Sequence, residues 1–481
     1  MTLTIPPAVE NAEDRPVTPL DRKALVRNAI LTGPIPRTLF TLAWPTMAVL
    51  LAQTAINIAE AFYVGFLGTA SLAGVSLVFP LVMLMMTMSA GGIGSGVASA
   101  VARAIGAGRK HDADAIVFHS ILLAIIIGAI FTVGPIWGGP ALYRALGGRN
   151  QALTAALLYS NYIFAGSVGV WIVNVLGAAL RGSGNVKVPA IVTFTGAVLL
   201  IPVSPALIFG FGPFPRMGIA GAGIVFAIYF SGAAVALIAY MISTRSSLSL
   251  RFARLERRIF ADILKVGVPA ALSTVQTNLT VILVTAAVGL FGTSYLAGYG
   301  IASRLDYVLI PILFGLSSAV LTMVGVNMGA GQTMRARKIA WTGGLLGVAI
   351  TEGIGLVVAI FPALWLHLFS HDPSVLAPAT TYLRIVAPVY GFLGLGFVLS
   401  FASQGTGHIL WPFIGVTARL LVAAGIGWIA VTYFGAGVFA LSIIIAASLA
   451  IYAALCAVAM TSKEVWKPTR CLAAARTVAG R

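Results

Sequence analysis

The chain has 481 residues, of which 59% are hydrophobic and only 9% charged, with a mean hydropathy of +0.99. Soluble domains carry about 25% charged residues, so this composition excludes a water-soluble globule and points to lipid as the solvent. The formal charge of +17 does not mark a nucleic-acid binder, because Lys and Arg fall in short clusters between apolar runs, the pattern that encodes membrane topology.

Residues 1–37 are polar, mix both signs of charge and lack the apolar core of a cleavable leader. The first apolar run is therefore expected to direct insertion itself. Crossing the hydrocarbon takes about 20 apolar residues, and runs of that length recur between charge, Gly or Pro. The first half holds them near 38–64, 71–99, 115–137, 152–180, 188–211 and 219–242. The second half holds them near 262–291, 295–326, 339–364, 378–403, 410–433 and 437–460. These are spans 1 to 12 of an all-α integral membrane protein with twelve transmembrane helices.

Charge sets the orientation. Of the 30 basic residues, 24 lie in the terminal segments or in every second loop, and the alternate loops hold only Arg144, Arg149 and Arg216. Arg304, Arg384 and Arg419 fall within spans. The asymmetry predicts that both termini are cytoplasmic, and it supports an even number of spans.

An internal repeat organises the chain. Pro45 is matched by Pro269, and GFLGTASLAG (Gly65 to Gly74) by GLFGTSYLAG (Gly289 to Gly298), both at an offset of 224. IGAG (Ile105 to Gly108) recurs as MGAG (Met328 to Gly331), and RGSGNVKVP (Arg181 to Pro189) as QGTGHILWP (Gln404 to Pro412), both at an offset of 223. Six spans per half is an even number, so both halves enter from one side. The repeat is parallel, with a pseudo-two-fold axis along the membrane normal, and transporters built this way bind substrate between the halves. Singly, each glycine reads as turn chemistry or close helix packing. The expected division is a cytoplasmic segment 1–37, an N-lobe 38–242, a cytoplasmic linker 243–261, a C-lobe 262–460 and a cytoplasmic tail 461–481.

Ionisable groups inside spans are expensive and are functional candidates by default. Glu60 stands out. It shares span 1 with Gln53 and Asn57 at spacings that put all three on one helical face, a stripe expected to point into the protein. A carboxyl held among apolar residues can take up and release a proton, so Glu60 is the candidate coupling residue. Asp306, two residues after Arg304, either lines a cavity between the halves or meets a basic group of another helix. Asn161, Asn174, Ser204, Gln276 and Asn278 are further candidate cavity residues. Pro202 and Pro205 flank Ser204 and free backbone carbonyls there. Met83, Met85, Met86 and Met88 offer a soft wall or ordinary packing. Glu352 has no polar stripe around it and reads as structural; Arg384 and Arg419 read as counter-ions or snorkelling groups.

Enzymatic chemistry has no visible carrier. There is no GxxxxGK[ST] loop and no GxSxG elbow. The five histidines (His111, His119, His367, His371, His408) have no metal-binding spacing, and Cys456 and Cys471 make no disulfide framework. The expectation is no enzyme, no cofactor and no metal.

Taken together, Pro45, Gln53 and Glu60, followed by Val64-Gly65-Phe66-Leu67-Gly68 and Leu72-Ala73-Gly74, resemble the multidrug and toxic compound extrusion (MATE) transporters. Ala104-Ile105-Gly106-Ala107-Gly108, Leu180-Arg181-Gly182-Ser183-Gly184-Asn185, Pro205-Ala206-Leu207-Ile208-Phe209-Gly210 and Met217-Gly218-Ile219-Ala220-Gly221-Ala222-Gly223 extend the resemblance, which runs from about Pro36 to Met460. It implies a V-shaped two-lobed fold, alternating access driven by a proton or sodium gradient, and organic, often cationic, substrates. In proton-coupled members the first span carries an acid, usually Asp, where this chain has Glu60; their Asn and Asp of the fifth span are Leu200 and Ser204 here. In the branch with acids in the seventh and tenth spans, the positions read Thr277 and Leu393, and the eighth-span acid of many members is Asp306.

The resulting expectation is a monomeric antiporter of the bacterial inner membrane, surrounded by lipid, that exports small organic compounds such as drugs and toxins in exchange for protons. A lone carboxyl suits a proton better than sodium, which needs several oxygen ligands. The alternatives are a sodium-coupled multidrug antiporter and a lipid-linked saccharide flippase of the same superfamily, the latter usually with about fourteen helices and a strongly basic central cavity.

Overall fold

A computed structural model describes residues 19–212 and 214–467. Arg15, Cys471 and the last basic residues of the tail lie outside the described residues. Helix accounts for nearly everything described, as an apolar solvent demands: with no water to satisfy backbone N–H and C=O groups, each segment must bond them internally.

The first half runs through Ile35–Gly65, Thr69–Gly106, Lys110–Ala145, a broken pair Asn150–Ala165 and Ser167–Gly182, Lys187–Phe209 and Ile219–Ile242. The second runs through Arg257–Gly289, Thr293–Gly329, Thr333–Ile360, Pro373–Thr406, Leu410–Phe434 and Val438–Thr461. Counting the broken pair as one gives twelve spans among the described residues. The pair bends by 47° at Gly166, where a side chain would press into Ala227 of span 6. Span 2 carries a wide π turn at Met88–Ile93 and span 11 another at Leu421–Ile426. Most helices outrun their apolar runs; the run of span 2, for example, ends near 99, whereas its helix continues to Gly106. Hydropathy reports only the lipid-facing part, whereas the helix propagates into ends that leave the bilayer.

Two helical pieces lie outside the twelve spans. Residues 19–32, inside the supposed N-terminal segment, form a helix, Pro19–Thr32. Its Arg27 donates to the carbonyls of Ile105 (3.2 Å) and Gly106 (3.1 Å), while Asn327 and Arg335 donate to its Ile30 carbonyl, so it lies across both halves. A one-turn helix, Ala363–Leu366, fills the loop before span 10. Asp372 caps that span, accepting from the Ser374 hydroxyl (2.8 Å) and N–H (2.9 Å). Those two bonds hold its carboxyl below the usual range.

The spans form two lobes splayed in a V. One core joins spans 8, 9, 10 and 12 with the base of span 1 (Leu39, Leu42, Ala43). The other joins spans 2, 3, 4 and 6 with the base of span 7 (Ile259, Ile263). The two spans that begin the halves thus exchange their bases across the pseudo-two-fold axis. Small residues make the crossing close. Gly315 of span 8 faces Ala43 and Met47 of span 1, and Gly92 of span 2 lies where an added Cβ would be 2.8 Å from Ala271 of span 7. Between helices in lipid there is little hydrophobic drive, so such backbone approach is what binds them. All these contacts lie toward the face bearing most of the arginines, called here the basic face. Toward the other face span 1 leaves span 8 and packs on spans 5 and 6 through Ile56 and Val64, and the lobes part.

Candidate functional site

Span 1 brings Glu60 to the wall between spans 1, 4, 5 and 6 of the N-lobe. Five residues, about 7–8 Å of helix, separate it from the end of its span. Its Oε1 is buried and, among the described residues, has no hydrogen-bond partner; nor does any basic side chain among them pair with it. Tyr159 of span 4 and Tyr229 of span 6 lie close enough to sense its charge. Gln53, two turns below, meets Tyr229, whose hydroxyl donates to the Thr193 carbonyl (3.2 Å). Gln53 and Glu60 are half-buried, whereas Asn57 between them is exposed. Asn57 sits where the packed side of span 1 gives way to its open side. Ser204 is fully buried in span 5, and its hydroxyl lacks a partner among the described residues. A buried polar group without a partner is costly, and Glu60 and Ser204 both stand in the N-lobe.

The C-lobe holds a different arrangement. Asp306 of span 8 is half-buried with Oδ1 unpartnered, and the Tyr390 hydroxyl of span 10, close to it, is likewise unsatisfied among the described residues. Arg419 of span 11 is near enough to act on Asp306, Tyr299 and Tyr382. It closes no salt bridge among the described residues. The rings of Tyr299 and Tyr382 meet edge-on at 5.2 Å beside a cavity of about 10 Å³ that Ser442 also lines, room for one water. Asp306 thus lies near a basic group of another helix without pairing with it among the described residues.

Between the lobes, no candidate amide makes a bridge; within the N-lobe, Asn174 donates to Ser89 (2.8 Å), tying span 4 to the π turn of span 2. Within the C-lobe, Gln276 donates to Thr417 (2.9 Å) and keeps a buried, unpartnered Oε1. Asn278 spends its amide on its own helix, at the Thr274 carbonyl (2.8 Å), and Asn161 is exposed; neither joins the other candidates. Glu352 accepts from the Gly391 N–H (2.7 Å), a donor left over where Pro388 breaks span 10. Arg304 lies exposed over the Phe369 ring at 5.2 Å, and Arg384 is exposed. Met85 is fully buried, packing rather than cavity wall. No group of three or more His, Cys, Asp or Glu residues suited to a metal occurs among the described residues.

The strongest polar cluster lies elsewhere. Arg103, which the sequence presents only as a loop charge, is 2% exposed at the basic end of span 2. It binds Asp262 of span 7 at 2.9 Å and donates to Ser99, whose hydroxyl donates to the Gln404 carbonyl of span 10. On the other side of the axis, Thr322 of span 8 donates to the Arg181 carbonyl of span 4 (3.1 Å). Ser99 and Thr322 share the repeat offset of 223, as do Arg181 and Gln404, so the two bonds are repeat mates. The glycines obey the same symmetry: a Cβ on Gly106 would collide with the Val326 carbonyl, and one on Gly329 with that of Arg103. The RGSGN and QGTGH landmarks are thus the points where the lobes clasp. Only their recurrence at a fixed offset hints at it in the sequence.

The family model MatE matches residues 45–206 and again 269–429. The chain belongs to the MATE family of membrane transporters. The starts of the two matched stretches, Pro45 and Pro269, are themselves repeat mates, so each lobe is one copy of the MATE unit. Among curated relatives, the FAD transporter of Shewanella oneidensis is 29% identical over 382 residues, 78% of this chain and 83% of that protein. The probable multidrug resistance protein NorM of Thermotoga maritima is 27% identical over 430 residues, 86% and 90% of the two chains. A solved outward-facing multidrug-resistance MATE transporter superposes with a TM-score of 0.82 at 24% identity, covering 90% of this chain and 96% of that one. A MOP-superfamily transporter of Pyrococcus furiosus gives 0.83 at 24%, covering 92% and 98%. These confirm the twelve-span, two-lobed MATE fold expected from the sequence.

Proposed function

We propose that this MATE transporter is a proton-driven antiporter that exports organic cations, with Glu60 as the proton carrier and the basic face toward the cytoplasm. The observation that carries the reading is Glu60 itself, a carboxyl inside the N-lobe with a buried, unpartnered oxygen and no cation beside it among the described residues. A proton satisfies that oxygen without needing the several ligands a sodium ion takes. The charge state of Glu60 then biases which arrangement of the lobes is preferred, since only differential affinity for two states can couple them. A proton entering down 100 mV releases roughly 2.3 kcal/mol. A cationic cargo would compete with it for the same carboxylate.

The multidrug-resistance relative supports an organic cargo. A second reading, an anionic dinucleotide, draws on the Shewanella oneidensis relative and would require a guanidinium inside the cleft. Arg419, half-buried in span 11, is the available one. A saccharide-lipid flippase would want a strongly basic cavity, for which the expected spans offer only Arg304, Arg384 and Arg419. Uptake into proteoliposomes of a fluorescent cation and of FAD, each under separately imposed proton and sodium gradients, tests the proposal. Cation movement driven by protons and lost in Glu60→Gln is expected. Sodium-driven movement, or transport unchanged in Glu60→Gln, overturns it.

A further inference from the structure

The loop joining the lobes, between Ile242 and Arg257, is fastened along one side and bare along the other. On its inner side the Leu250 N–H donates to the Met241 carbonyl (3.2 Å), the Ser249 N–H to Asp114 (2.8 Å) and the Glu256 N–H to His119 Nε2 (2.9 Å). Leu248 is fully buried, and Leu250 and Ala253 pack on the N-lobe core. On the outer side stand Arg251, Phe252, Arg254 and Leu255; Phe252 is 97% and Leu255 63% exposed. A flexible tether would need none of these anchors.

The surrounding acids are already occupied. Asp112 meets Arg109 (2.8 Å) and Arg258 (3.7 Å), Glu256 meets Arg258 (3.1 Å), and Asp114 takes the Ser249 N–H. Arg251, Arg254 and Arg257 close no ion pair among the described residues. Depth is set by Phe118 of span 3, whose ring centre is 5.5 Å from that of Phe252. Span 3 has 36 residues, about 54 Å of helix, against about 30 Å of hydrocarbon. Centred, it projects about 12 Å at each end. Phe118 lies eight residues, again about 12 Å, from Lys110. The Phe118–Phe252 pair therefore falls at the acyl boundary, with the arginines beside it in the headgroup layer.

We propose that this loop is a docking surface for anionic phospholipids, Phe252 and Leu255 entering the acyl edge while Arg251, Arg254 and Arg257 bind headgroup phosphates. Each such arginine favours an anionic surface by roughly fivefold, so the three together act by about a hundredfold. The loop would then moor the junction of the two lobes to one leaflet.

Lipid retention tests this without reference to transport or orientation. The purified full-length protein is equilibrated with equimolar phosphatidylglycerol and phosphatidylcholine, washed, and its bound phospholipid counted. The native chain should retain phosphatidylglycerol at least tenfold over phosphatidylcholine. That ratio should fall toward parity in Arg251→Ser/Arg254→Ser/Arg257→Ser and in 1 M salt, where the Debye length is about 3 Å. The pair Arg144→Ser/Arg149→Ser, on the opposite face, should leave it unchanged. Should the triple variant fail to fold, Phe252→Trp in the otherwise native chain gives an independent reading: brominated phosphatidylglycerol should quench its added emission more than brominated phosphatidylcholine. Equal retention by the native chain, an undiminished ratio in the folded triple variant, or equal quenching overturns the proposal.

Discussion

Each lobe holds one acid near tyrosines, and the two acids are set up oppositely. Glu60 has two phenols within reach of its charge and no cation among the described residues, whereas Asp306 has three tyrosines and the Arg419 guanidinium. They are not repeat mates either: the position that the repeat offset pairs with Glu60 is Val284. Arg419 gives Asp306 an opposing charge on another helix, whereas a proton is the simplest partner for Glu60. The difference teaches that the duplicated scaffold is symmetric while its chemistry is not.

Exchanging the carboxyls for amides tests this difference first. Glu60→Gln should reduce proton-driven efflux to the level of protein-free vesicles. Stability should change by less than about 1 kcal/mol, because the oxygen has no partner to lose. Asp306→Asn should also change stability by less than about 1 kcal/mol, since its Oδ1 has no partner among the described residues, but should leave efflux measurable. If Asp306→Asn abolished efflux and Glu60→Gln spared it, the roles would be interchanged.

Measured by stability alone, the greatest loss belongs to Arg103→Ala at the clasp. Removing one partner of a buried ion pair costs about 3 kcal/mol, and here the loss also frees Ser99, which bonds span 10. Thermal unfolding should report the loss. The smallest effects sharpen the symmetry. Thr322→Val should cost about 1 kcal/mol. Its mate Ser99→Ala should cost more, since Ser99 also accepts from Arg103. Equal losses at the two sites would show that Arg103 does not lean on Ser99.

Much of this architecture is legible in the residues because lipid punishes deviation: twelve apolar runs, their even spacing and the constant repeat offset leave few alternatives. The helix Pro19–Thr32 is not legible, since its polar sequence offers hydropathy nothing to detect. Helical spacing groups Glu60 with Gln53, and both lie by Tyr229. The same spacing places Asn57 with them, because a helical wheel cannot tell which neighbour covers each side. Arg103 and Asp262 belong to different halves of the chain, and no local pattern connects them; only packing of span 2 on span 7 does. Glu352 needs the break at Pro388 to explain why an acid belongs there.

The mated hydroxyl–carbonyl bonds carry one more consequence. Because the axis passes between Ser99–Gln404 and Thr322–Arg181, rocking one half on the other loads both latches together. The load is not shared by equals, since only Ser99 is also held by Arg103. Release therefore begins on the Thr322 side, and the arginine-backed side is the last hold between the halves.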